Sequence, residues 1–171
     1  MIQKARSNAE LRGLNNVEFR EGDIEKMPVT SNVADVIVSN CVLNLVPDKN
    51  AVFKEIFRVL KPGGHFSISD IVLQGNLPVK IQNVAEMYAG CVSGAIQKQV
   101  YLELINTNGF VNITLQKEKE IIVPDDILKN YLSENEINEF KNSASGIYSI
   151  TVYAEKPVAE RECGCAPGCC N

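Results

Sequence analysis

Two cysteines could do chemistry: Cys41 follows the polar pair Ser39-Asn40 at the end of an apolar run, and Cys91 is flanked by Gly90 and Gly94. Their stretches are Ser39-Asn40-Cys41-Val42-Leu43-Asn44 and Tyr88-Ala89-Gly90-Cys91-Val92-Ser93-Gly94-Ala95. A thiolate is a soft nucleophile and a soft-metal ligand, and two at one point can share a thiophilic ion. Four more cysteines, Cys163, Cys165, Cys169 and Cys170, crowd into the last nine residues. C-x-C followed by C-C is thiolate-rich, but its spacing is not that of a standard zinc site. Glu21-Gly22-Asp23-Ile24-Glu25 supplies an acidic turn, and Asn40 precedes the first cysteine. The single histidine, His65, opens a strand instead of closing one and reads as structural. Each feature has a plainer reading. Cys41 could be an inert buried thiol, Cys91 a small core residue and Asp23 a solvated turn.

These residues need a scaffold, and 34–70 supplies it. Ala34 to Val38 is a short valine-rich run, as expected of a strand buried on both faces of a parallel sheet. Asp48 is placed to cap a helix whose apolar stripe is Val52, Phe53, Ile56, Phe57, Val59 and Leu60. Pro62-Gly63-Gly64 stops it, and Phe66 and Ile68 then alternate with Ser67 and Ser69 in a strand leading to Asp70. Strand, helix, strand makes a right-handed βαβ unit, with ligands expected beyond the strands' carboxyl ends. Those ends carry Ser39, Asn40, Cys41 and Asp70.

Around this unit the sequence predicts a helix over 2–12 closed by Gly13 and a strand at Val17 and Phe19. A helix opening at Pro78 presents Ile81, Val84, Ala85 and Tyr88, and another runs from about Gln97 to Asn108-Gly109. Gly90 and Gly94 flank Cys91, where they would let the backbone approach a bound ligand. Val111, Ile113 and Leu115 mark a strand, and short helices open at Pro124 and at the capping box Ser133-x-x-Glu136. Tyr148, Ile150 and Val152 form the last strand. The domain spans 1–157, and 158–171 is a cysteine-rich tail, mobile unless something binds it.

The chain has 171 residues, 45% hydrophobic and 22% charged, with a formal net charge of −4. That is one soluble domain with no basic stripe for nucleic acid and no apolar run of membrane-spanning length. The first residues lack a signal-peptide core, so the expected compartment is cytoplasmic, where thiols stay reduced.

Residues 34–70 resemble the second half of a class I S-adenosylmethionine methyltransferase, in which L-K-P-G-G closes the helix before the fifth strand. Ser39 to Lys49 is narrower and resembles the arsenite methyltransferase family. Tyr88 to Ala95 matches that family's later cysteine segment, and the tail resembles its cysteine-rich ends. The resemblance implies a Rossmann-like class I methyltransferase fold with sheet order 3-2-1-4-5-7-6 and a small helical insertion before the last strand. It implies that Cys41 and Cys91 bind trivalent arsenic, which is methylated from S-adenosylmethionine, with a thiol reductant such as glutathione or thioredoxin as partner. Asp23 matches the position that bonds the adenine amino group, Ile24 the residue packing on the ring, and Asn40 lies near the cofactor. The family's third arsenic thiolate comes from its N-terminal region, so one of Cys163, Cys165, Cys169 and Cys170 could substitute, or the four could bind arsenic among themselves as a separate scavenging site. The sequence holds no G-x-G-x-x-G or related glycine-rich loop. The expectation is a fold lacking its first two strands, which leaves the Val17–Phe19 strand without a partner and the Ala34–Val38 strand as an edge; the chain reads as a fragment, a gene truncation, or one half of a split protein whose partner would be a separate N-terminal half. The alternatives are a non-catalytic thiol protein that binds arsenite or another soft metal, and a related carbon methyltransferase.

Overall fold

The computed structural model describes residues 1–77, 79, 80, 83, 92 and 94–158. Helix α1 (Ile2–Leu11) ends two residues before Gly13, which takes the left-handed φ of 63° that closes the helix. Strand β1 (Ala34–Asn40) leads through a 3-10 turn (Leu43–Leu45) into α2 (Lys49–Val59) and then β2 (Leu60–Gln74). Helix α3 (Lys98–Thr107), β3 (Val111–Glu120), α4 (Asp125–Leu128), α5 (Glu134–Asn142) and β4 (Gly146–Glu155) complete the described elements.

The sheet runs β1-β2-β4-β3, with β1 and β2 parallel and the other two pairings antiparallel. This is the 4-5-7-6 portion of the expected order, with β1 at the edge. One face is dry. Phe66 and Ile68 pair with Ala154 and Val152 on it, and Val52, Phe53, Ile56, Tyr101 and Ile105 cover it from α2 and α3. Phe53 lies tilted over Phe66 and edge-on to Tyr101, with ring centroids 6.0 and 5.5 Å apart. A second cluster covers the far part of the other face, where Ile71 and Ile147 meet Leu128, Leu132 and Ile137 of the insertion around α4 and α5.

Two expectations need correction. β1 is not buried on both faces: Val36 and Val38 are 49% and 76% exposed. Register explains it, because Val36 lies beside His65 and Val38 beside Ser67, on the face that no described helix covers there. Val17 and Phe19 do not form a strand in the structure. With no neighbouring strand to take their ladder bonds, alternation alone does not hold them extended in a sheet.

Capping follows the sequence more closely. The Ala51 N–H donates to Asp48 Oδ1 at 3.0 Å, and Ser133 and Glu136 form a reciprocal capping box. The Lys156 ammonium donates to the carbonyls of Phe57 and Leu60 at 2.7 and 2.8 Å, closing the end of α2. Asp48→Ala should therefore cost about 1 kcal/mol in urea unfolding. An unchanged midpoint would mean that the cap contributes nothing.

Candidate functional site

The parallel pair ends where chemistry was expected. Asn40 pairs with Ser69, and the Cys41 N–H donates to the Ser69 carbonyl at 2.8 Å, extending the ladder by one residue. Cys41 then turns with φ of 55°, and it is half-buried. The other non-glycine residues with positive φ among those described are Asn32 and Asn112. Asparagine tolerates that region, whereas cysteine has no such local excuse, so the strain marks a position worth a functional reading.

Asp23 and Ile24 lie in a tight turn. The Glu25 N–H donates to Asp23 Oδ1 at 3.0 Å, and Lys26 N–H to the Asp23 carbonyl at 3.1 Å. Glu25 Oε1 accepts from the Asp48 N–H at 2.9 Å, tying this turn to the start of α2, seven residues beyond Cys41. Asp23 is exposed, and Ile24 is half-buried against the main core. The structure thus places Asn40 and Cys41 together at the end of β1 and ties the Asp23–Ile24 turn to the start of α2. Cys91 and the tail cysteines Cys163, Cys165, Cys169 and Cys170 lie outside the described residues. Among the described residues no three His, Cys, Asp or Glu side chains group closely enough to hold a metal ion. None of their helices is long and apolar enough to cross a membrane.

Beneath this end sits a buried polar cluster. Asp70, 1% exposed, accepts from the Tyr101 hydroxyl through Oδ2 at 2.9 Å, while its Oδ1 has no partner among the described residues. Burial pushes the Asp70 carboxyl up to about 6, against the opposing pull of the Tyr101 hydroxyl and the Lys49 ammonium. Burial lowers the Lys49 ammonium in turn, and Asp70 partly restores it. Asn44, also buried, donates from Nδ2 to the Ile71 carbonyl at 2.8 Å, and its own Oδ1 has no partner among the described residues. Period-two parity was the signal for Asp70, since Phe66, Ile68, Asp70 and Val72 share one face. Lys49 likewise starts the helical stripe of Val52, Phe53 and Ile56.

A folded-state value above the usual 3.8 means that the native protein holds the Asp70 proton more tightly than the unfolded chain does. The stabilisation is full below about pH 4 and is lost as pH rises through 6, a change of about 3 kcal/mol. Wild-type stability minus that of Asp70→Asn should therefore fall by about that much between pH 4 and pH 7 in urea melts. A difference independent of pH would refute this.

The fold and the ligand end of its parallel strands define the class: the chain belongs to the methyltransferase domain family, whose model matches residues 1–109. Within that class it is a class I S-adenosylmethionine methyltransferase relative of the arsenite methyltransferases. The arsenite methyltransferase of Halobacterium salinarum is 32% identical over 160 residues, which span 94% of this chain and 39% of that protein. The arsenite methyltransferase of Aquipseudomonas alcaligenes is 35% identical over 130 residues, 74% of this chain and 38% of its own length. The crystal structure of an arsenic(III) S-adenosylmethionine methyltransferase from Chlamydomonas reinhardtii superposes with a TM-score of 0.63 at 29% identity. That match covers 80% of this chain and 43% of the algal one. The chain thus spans about two-fifths of the length of these relatives.

Proposed function

We propose that this chain carries the arsenic-holding part of an arsenite methyltransferase, with Cys41 and Cys91 as thiolate ligands to trivalent arsenic. The observation that carries the reading is Cys41 itself, in left-handed backbone at the carboxyl end of a parallel strand. That is where open α/β sheets bind ligands. Thiolate-bound arsenic keeps a lone pair and attacks without a general base. That suits a site whose one histidine lies elsewhere, beside Val36 near the other end of the parallel strands, its ring against Tyr153. When bound, S-adenosylmethionine supplies a sulfonium methyl group open to in-line displacement.

The fit to that cofactor is partial. An exposed Asp23 carboxylate and the half-buried Ile24 side chain suit the adenine end, with Asn40 nearby in the reading, but no glycine-rich loop is present for the methionine end. Methyl transfer is therefore assigned to this chain together with a glycine-rich N-terminal half that pairs with the open edge of β1. Attack by the lone pair on the methyl group takes arsenic from the trivalent to the pentavalent state, and a thiol reductant such as glutathione or thioredoxin would supply the two electrons that return it to the trivalent state, in a cytoplasmic setting of arsenic detoxification. The second reading is a thiol protein that sequesters arsenite or another soft metal.

Residues 1–157 form the partial methyltransferase domain in this reading, with Cys163, Cys165, Cys169 and Cys170 on the tail as third-ligand candidates. Arsenite titration of the full chain and of the chain ending at Pro157 tests both parts. A core site of one arsenic per chain should survive the cut. A weakened core site assigns a third ligand to the tail, and fewer sites with an intact core assigns a separate scavenging site. No binding by either chain would refute the proposal.

A further inference from the structure

The turn that follows Cys41 is gripped from two sides. On one side Asn44, 4% exposed, donates from Nδ2 to the Ile71 carbonyl at 2.8 Å, fixing the turn to β2 just beyond its last parallel pairing. On the other side lies Gly94. A Cβ at that position would overlap the Asn44 carbonyl oxygen and stand 2.8 Å from its carbonyl carbon. No side chain fits there, so the two backbones touch because residue 94 has none.

Gly94 cannot simply move away. The Ala95 N–H donates to the Val92 carbonyl at 2.9 Å, and Val92 is buried in the second core cluster. The Leu73 N–H donates to the Ile96 carbonyl at 2.9 Å, and Leu73 bridges Gln97 in parallel fashion. Three stretches therefore stack in backbone contact: β2, the turn bearing Asn44, and the segment containing Gly94. Cys41 enters this stack through its own N–H bond to Ser69. The glycine expected to admit a ligand instead admits a backbone carbonyl.

We infer that Asn44 and Gly94 are positioning residues that fix the Cys41 turn against the segment containing Gly94, and so set where the Cys41 thiol stands. The arsenite part of the test rests on the two-cysteine reading, whereas the positioning of Cys41 does not. Two thiolates share one soft ion only within a narrow range of separations.

The test reads Cys41 directly in the full chain, by peptide-resolved mass spectrometry of iodoacetamide labelling across pH, alongside arsenite titration. Gly94→Ala should change the Cys41 labelling rate by about threefold or more and shift its pH profile. Arsenite affinity should fall about tenfold or more. Asn44→Ser, which removes the grip on Ile71 without adding bulk, should act in the same direction, and it decides the matter should Gly94→Ala not fold. Gly64→Ala is the control: its Cβ would stand 2.9 Å from the Asp35 carbonyl oxygen, near the opposite end of the parallel pair. It should lower the melting temperature without changing Cys41 labelling. A folded Gly94→Ala or Asn44→Ser chain with wild-type labelling and pH profile overturns the inference, as does an equal effect from Gly64→Ala. If wild type takes up no arsenite, the two-cysteine reading fails, while the labelling still decides the positioning role.

Discussion

Cys41→Ser and Cys91→Ser should each weaken arsenite binding at the core site by about 100-fold or more, a loss of about 2.7 kcal/mol or more. Replacing one thiolate with a hydroxyl leaves a soft ion held by a single sulfur and harder oxygen ligands. Thermal stability should hardly move for Cys41→Ser, because serine is nearly isosteric and Cys41 is only half-buried. Its backbone bond to Ser69 is unaffected by the side chain. Calorimetric titration of each variant, with a melt in parallel, checks both statements. Full affinity in Cys41→Ser would move the arsenic site off the end of β1. A large drop in melting temperature would return Cys41 to its plainer reading as a packing residue.

The second large effect concerns S-adenosylmethionine. The isolated chain should bind it at least about 100-fold more weakly than a full-length arsenite methyltransferase, because uncradled methionine and ribose groups forfeit several hydrogen bonds. Joining a glycine-rich half that supplies a strand for the β1 edge should restore most of that loss. The edge is suited to accept one: Val36 and Val38 expose apolar surface, and β1 has β2 as its only pairing partner in the described sheet. Calorimetry on the chain alone and on the joined protein reads both. Equal, strong binding by the isolated chain would show that the residues present cradle the whole cofactor.

Much of this architecture was legible before any coordinates. The helical stripe from Val52 to Val59 places α2, and the caps at Asp48 and Ser133 form as their side chains suggest, but Pro62-Gly63-Gly64 is not the stop: α2 ends at Val59, Leu60 is already extended, and β2 runs through all three residues. Two things were not legible. Alternation at Val17 and Phe19 looks like a strand, but a strand exists only with a neighbour, and propensity cannot reveal a missing one. A valine run reads as buried on both faces, whereas burial of Val36 and Val38 depends on layers that the described residues do not provide. The site divides in the same way. Cys41 announced itself by type and place. Asn44 and Lys49 did not, since their burial depends on Ile71, Gly94 and Asp70 arriving from distant parts of the chain.

In the proposed site Cys41 and Cys91 hold one arsenic between them. Arsenic K-edge X-ray absorption on the chain ending at Pro157, loaded with one equivalent of arsenite, tests it most directly, because the four tail cysteines are then gone. The expected first shell is two sulfurs and one oxygen, dropping to one sulfur in either Cys41→Ser or Cys91→Ser. A shell of oxygen alone, or a sulfur count unchanged by both substitutions, would contradict it.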